Sequence, residues 1–250
     1  LTYSFNAHSY YTLNTNVAAN FAADLVYVNV ADHSCDYIGR TPTEILHLVQ
    51  LAVDQFWNDI PSSRLLLQSG ELKSVAGAFK TEAICSSVAS DGSCNVNSNL
   101  IVDSNILISC NNNATTFTST TILGKTVPNN IVEKHIVGSL FLLNDISGTN
   151  LATKTDTELV TILAHEIGHA IGLGHGSKEA DLMYYKFSTS QTKLSIDDIN
   201  GLTYLYGVNQ PDILNCNSVE LINTGSGLPS FLLGFLPLLF FIKRRTRKIK

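Results

Sequence analysis

Basic residues are scarce in most of this sequence. Of its 16 lysines and arginines, six lie in the last eight residues, so the rest of the chain carries ten bases against 21 acids, a net charge of −11. A body this acidic argues against nucleic acid as a partner. The distribution is typical of a water-facing domain beside a membrane, with its basic end at the lipid headgroups.

Cysteine is also sparse and lacks metal-binding spacing. The five cysteines include no C-x-x-C pair, which makes a cysteine metal site a poor interpretation. Cys85 and Cys94 flank the polar loop SSVASDGS, which favours a disulfide between them in an oxidising compartment, with buried free thiols as the alternative. Because the count is odd, one thiol must be left over, and Cys216 is the candidate.

No apolar signal segment opens the chain, and no internal repeat is present. A removed secretory signal and an omitted one both fit a start at Leu1. The length of 250 residues allows one sizeable domain with appendages.

Three segments have helical periodicity and begin with a capping box, at 41–60, 155–172 and 194–207. The N-cap residue and the acid three positions later are Thr41 with Glu44, Thr155 with Glu158, and Ser195 with Asp198. The apolar residues Ile196, Ile199 and Leu202 are predicted to mark the inner face of the third helix. Strand-like runs lie at 1–6, 23–32, 63–70, 98–110, 120–127 and 135–145.

The second helix carries the residues of a metal site, within ILAHEIGHAIGLGHG. His165 and His169 are four residues apart, so both side chains project from one face of the helix and can converge on one ion. Glu166 points about 100° round the helix and can reach a water on that ion without binding the ion itself. Gly172 can take a positive φ and end the helix, which lets His175 approach as a third ligand. Three histidines leave a fourth position open for water, as in catalytic zinc sites.

Satisfied histidines on a buried helix are the alternative, but H-E-x-x-H-x-x-G-x-x-H on a capped helix is far more specific than a lone histidine. The segment HEIGHAIGLGH resembles the zinc signature of the metzincin metallopeptidases. The one methionine, Met183, lies eight residues after His175, where the family has a methionine-containing turn beneath the zinc.

Within the metzincins the sequence is most similar to the matrixins, the matrix-metalloprotease type. LTYSF resembles their opening strand, LFLLND the strand before the zinc helix, and LSIDDINGLTYLYG their closing helix. The resemblance implies an α+β fold of the zincin-like metzincin kind, with a twisted mixed β-sheet, three main helices and the zinc helix in the cleft. It implies a catalytic domain over 1–207, followed by a linker over 208–227 and an apolar C-terminal segment with a basic tail over 228–250.

Three departures limit what the resemblance implies. No cysteine-bearing propeptide motif of the vertebrate type is present, so latency through a propeptide cysteine is unsupported. The histidine and aspartate pattern of the vertebrate structural zinc site is also missing, so one zinc is expected. The family likeness also suggests calcium, but no acidic loop here supplies a clear motif. Matrixins usually have proline where this chain has Tyr185, which either packs or contacts the zinc or the oxyanion. By likeness, Tyr184 and Tyr185 would wall the substrate pocket.

The implied activity is hydrolysis of peptide bonds in extracytoplasmic proteins by a zinc metalloendopeptidase. Zinc held by His165, His169 and His175 would activate a water, and Glu166 would act as general base. An edge strand within 135–145 or 120–127 would pair with an extended substrate. The alternatives are a catalytically silent zinc-binding surface module of the same fold and a metalloenzyme of another class. Glu166 argues against the silent module, because a purely structural zinc needs no base beside its water. The likeness to a peptide-binding cleft argues against another class of metalloenzyme.

The end of the chain is the most apolar part. The fifteen uncharged residues 228–242 would reach about 22 Å as a helix, short of the ~30 Å hydrocarbon core, and Pro237 interrupts them. A buried C-terminal hairpin is one interpretation. The adjoining basic cluster favours a membrane segment instead. The order of a GSG stretch, an apolar segment and a basic cluster resembles the C-terminal sorting tags of bacterial surface proteins, and this resemblance implies a sorting peptidase as a partner. Either role predicts a cell-surface or secreted protein, anchored at least transiently.

Overall fold

The computed structural model describes residues 18–88, 90 and 94–208. The predicted strand at 1–6, Cys216, the linker after residue 208 and the apolar C-terminal segment lie outside these residues. Within the described part of the chain, no helix combines the length and the apolar character needed to cross a membrane.

A five-stranded mixed sheet forms the centre of the fold. Its strands are β1 Leu25–Ala31, β2 Leu66–Lys73, β5 Asn105–Asn111, β6 Gly124–Val132 and β7 His135–Asn144, in the order β2-β1-β5-β7-β6. Strands β2, β1, β5 and β7 run parallel to one another, and β6 pairs antiparallel with β7 at the edge of the sheet. Two short strands, β3 Cys85–Val88 and β4 Cys94–Val96, form a separate antiparallel hairpin.

The predicted strands correspond to this sheet with shifted ends. The run at 98–110 forms a strand only from Asn105, because residues 98–100 make a 3-10 turn capped by Asn97. The run at 120–127 begins its strand at Gly124 and continues to Val132. This strand, not β7, is the edge strand of the two candidates.

All three predicted capping boxes are formed, at the starts of α1 Pro42–Ala52, α3 Asp156–Ala170 and α4 Ile196–Tyr206. A short helix, α2 Ala78–Thr81, precedes the hairpin. Helix α1 continues as a π-helical turn to Trp57, whose indole Nε1 donates a hydrogen bond of 3.0 Å to the Ala164 carbonyl in α3. This contact joins the first helix to the helix that carries the histidine motif.

The prediction for the inner face of α4 was wrong at one position. Ile196 is 78% exposed, whereas Asp198 and Leu202 are fully buried. A helix turns about 100° per residue, so Ile196 lies nearly opposite Asp198. The inward position at the first turn is taken by a carboxylate because backbone N–H groups of a neighbouring loop need an acceptor there.

Apolar residues cover both faces of the sheet. The larger cluster packs between the sheet and helices α1, α3 and α4, and a smaller one lies on the opposite face. Disulfides join Cys85 to Cys94, the pair that the sequence favours, and Cys35 to Cys110, a pair that sequence reasoning did not identify. The second pair is separated by 75 residues, and only the fold brings the two cysteines together.

Candidate metal centre

Helix α3 presents two histidines of the motif on one face. The ring centroids of His165 and His169 lie 4.8 Å apart at nearly a right angle. The Nδ1 atom of His165 lies 2.7 Å from the Leu182 carbonyl oxygen, and that of His169 lies 2.8 Å from the Leu173 carbonyl oxygen. A carbonyl only accepts, so each Nδ1 donates and the lone pair of each Nε2 is left for another partner. A histidine that binds a metal through one ring nitrogen usually donates a hydrogen bond from the other, as each Nδ1 does here.

The turn after α3 brings in the third histidine. Gly172 has a φ of 103°, a left-handed conformation that a side chain rarely adopts, and a Cβ there would clash with the Ala19 carbonyl. After this turn the Nε2 atom of His175 lies 3.1 Å from that of His169. Ligands about 2.0–2.1 Å from a tetrahedral zinc are separated by roughly 3.3 Å, so this spacing fits one shared ion.

The chemistry of the three histidines also fits a metal. Their candidate ligand atoms all lie within 4.8 Å of one another. Burial lowers the pKa of each imidazole below its ordinary value, so the neutral form that can bind a cation is favoured. The three histidines therefore suit a zinc ion whose fourth coordination position is left open.

Glu166 lies beside these histidines in a nearly dry environment. Thr126 of β6 donates a hydrogen bond of 2.6 Å from its hydroxyl to the Glu166 Oε2 atom. Burial raises the pKa of Glu166 to about 7, and the Thr126 hydrogen bond opposes this rise. The strand approaches so closely that a Cβ on Gly124 would lie 2.9 Å from the Oε1 atom. Sequence reasoning missed Thr126 and Gly124, because nothing in their spacing links them to a helix 40 residues later.

Met183 lies beneath α3 and is fully buried. A Cβ on Gly168 would overlap the methionine sulfur, so the helix needs glycine where the two pack. Asp198 accepts hydrogen bonds from the backbone N–H groups of Leu182 and Met183, at 2.9 and 3.1 Å. The Leu182 carbonyl is the acceptor for His165, so Asp198 fixes the loop that orients this histidine. Sequence reasoning identified Asp198 only as a helix-capping residue.

A cleft of about 860 Å³ opens beside the histidines, with Glu166 and the edge strand β6 in its lining. Tyr185 also lines it, is 57% exposed, and has its ring centroid 6.4 Å from that of His175. Tyr184 is half-buried and packs against Tyr185 with centroids 4.6 Å apart, but it is not among the lining residues.

Comparison with known proteins gives one family and several partial relatives. The family model described as Matrixin matches residues 5–207. Metalloendoproteinase 2-MMP of Arabidopsis thaliana is 41% identical over 61 residues, 24% of this chain and 16% of that protein. Stromelysin-2 of Rattus norvegicus is 51% identical over 55 residues, 20% of this chain and 12% of that protein. Metalloendoproteinase 1-MMP of Arabidopsis thaliana is 34% identical over 95 residues, 36% of this chain and 25% of that protein.

The chain thus spans a quarter or less of the length of these relatives. Matrixins are zinc metalloendopeptidases, which agrees with the enzyme class and the zinc cofactor that the sequence predicts. The family match covers most of the chain and includes the whole histidine motif. The chain belongs to the matrixin family.

Proposed function

We propose that this chain is a zinc endopeptidase in which His165, His169 and His175 hold the metal and Glu166 is the general base. The observation that carries the proposal is the meeting of three imidazoles with one buried glutamate in an open cleft. These three histidines would hold a zinc ion, which when bound would lower the pKa of a water toward about 7 and polarise the scissile carbonyl. A module that bound zinc only for structure would need no carboxylate beside the open position.

Glu166 moves the proton in this proposal. Its carboxylate takes a proton from the attacking water and later gives it to the leaving amine. Burial raises the pKa of Glu166 above its ordinary value, which makes the carboxylate a stronger proton acceptor than an exposed one. Thr126 positions the carboxylate through its 2.6 Å hydrogen bond, and burial excludes competing water.

Strand β6 is proposed to bind the substrate backbone. It is the last strand of the sheet on its side, and residues 121–127 line the cleft. An extended peptide can add to this edge by backbone hydrogen bonds, which would lay its scissile bond beside the histidines. Tyr185, which also lines the cleft, is proposed to contact the substrate.

The substrates are proposed to be proteins outside the cytoplasm. Two disulfides within the described residues favour an oxidising compartment. The catalytic domain is assigned to 1–207, the linker to 208–227 and a membrane or sorting segment to 228–250. The last two assignments are supported by the composition of the sequence alone.

The test compares the wild-type chain with Glu166→Gln and a control, Glu71→Gln, which removes an exposed carboxylate on the far edge strand β2. Zinc content and cleavage of a quenched peptide library are measured together. We expect about one zinc per chain in all three and chelator-sensitive cleavage by the wild type and the control only. Zinc in all three with no cleavage would favour the silent module instead. A folded wild-type protein without zinc would refute the metal assignment.

A further inference from the structure

The charge of the cleft is opposite to that of the rest of the protein. Three lysines line it, Lys125, Lys154 and Lys186, and Glu166 is the one carboxylate among the lining residues of this described cleft. The chain as a whole has a net charge of −5. A narrow cleft with one sign of charge concentrates ligands of the other sign.

The three lysines differ in how far their charge is already compensated. The Lys154 ammonium pairs with Glu158 at 3.0 Å. The Lys186 ammonium lies 5.2 Å from the ring centroid of Tyr185. Lys125 is half-buried, yet among the described residues its ammonium has no ion pair and no hydrogen bond. Burial lowers the pKa of Lys125, so an anionic partner would stabilise its charged form.

The position of Lys125 on β6 determines which substrate side chain it can meet. Successive side chains of a strand point to opposite faces of the sheet. Thr126 faces α3, where it contacts Glu166, so Lys125 and Val127 point to the other face. Val127 packs there in the smaller apolar cluster with Ile84. The cleft continues round the strand to this face, where the Cys85–Cys94 disulfide is part of its lining.

A peptide that adds to β6 also alternates its side chains between these two faces. The residue opposite Thr126 points toward α3, and its neighbour opposite Lys125 points toward the unpaired ammonium. We propose that Lys125 selects an aspartate or glutamate at this one substrate position, so that the enzyme prefers acidic peptide segments. This inference rests on the proposed endopeptidase function and on substrate pairing with β6.

The test uses one cleavable peptide in which each position near the scissile bond carries Glu, Gln or Lys in turn. The kcat/KM ratios are compared for the wild type, Lys125→Met, Lys125→Glu and a control, Lys73→Met, on the far edge strand. We expect the wild type and the control to prefer Glu over Lys at one position by about fivefold or more. Lys125→Met should bring this ratio close to one, and Lys125→Glu should invert it. The wild-type ratio should also shrink as salt is added.

The outcomes separate this inference from the proposed function. Cleavage without any charge preference would overturn the role of Lys125 and leave the endopeptidase intact, whereas no cleavage of any peptide would overturn the endopeptidase itself. A preference that survives Lys125→Met but disappears in Lys186→Met would also overturn the assignment. An inverted ratio in Lys125→Glu would establish it, because misfolding lowers all rates and cannot reverse a preference.

Discussion

Replacing Asp198 by alanine is expected to lower the free energy of unfolding by about 3 kcal/mol. The fully buried carboxylate accepts N–H groups from Leu182, Met183 and Ser195, and alanine would leave all three donors without this partner. Each such donor costs about 1–3 kcal/mol. Burying a charged carboxylate is itself costly, and burial raises the pKa of Asp198; relief of that cost keeps the expected loss at the low end of the sum over the three donors, about 3 kcal/mol.

The same substitution is expected to weaken zinc binding by about tenfold to a hundredfold. The loop that Asp198 holds supplies the Leu182 carbonyl, which accepts the 2.7 Å hydrogen bond from His165 Nδ1. Urea unfolding with and without chelator measures the stability, and competition with a chromogenic chelator measures the affinity. Asn200→Ala, at an exposed position of the same helix, is the control and should change stability by less than about 0.5 kcal/mol. An Asp198→Ala protein as stable and as tightly metallated as this control would refute the reasoning.

Three further substitutions test other contacts. Thr126→Val, which removes the hydroxyl donor to Glu166, should lower kcat for peptide cleavage by about tenfold with zinc content unchanged; an unaltered kcat would contradict its positioning role. Gly168→Ala gains about 1 kcal/mol of helix propensity but overpacks the buried methionine at a cost of about 1–3 kcal/mol, so urea unfolding should show a net loss near 1 kcal/mol rather than a gain. Replacing both Cys35 and Cys110 by serine opens a loop of 75 residues and should cost about 4 kcal/mol by the same measurement, and a loss below 1 kcal/mol would contradict the chain-entropy account.

The meeting of the three histidines proposed as metal ligands could be predicted from the sequence because their geometry is local. Two histidines four residues apart on a helix share a face whatever the rest of the fold does, and Gly172 gives the turn that returns the chain toward the first two. The three capping boxes were predictable for the same reason, since each is contained within four residues.

Contacts between distant segments were not predictable. The Cys35–Cys110 disulfide depends on a loop and strand β5 meeting across 75 residues. The exposure of Ile196 and burial of Asp198 reverse what apolar periodicity predicts, because the demand for a hydrogen-bond acceptor comes from another loop. Apolar periodicity reports the average polarity of a helix face, and it contains no information on hydrogen-bond donors supplied by another loop.

Strand β6 links the proposed catalytic base to the proposed substrate preference, a connection that depends on the folded chain. Its antiparallel pairing leaves one edge for the proposed substrate, and its alternation directs Thr126 to Glu166, the proposed general base, and Lys125 to the opposite face. Gly124 allows the strand to approach Glu166 so closely that no side chain fits between them. A one-residue slip of this strand would exchange the two faces, placing a lysine against Glu166 and a threonine against the proposed acidic substrate residue. The register of β6 on β7 therefore constrains the proposed catalytic base and the proposed substrate preference together.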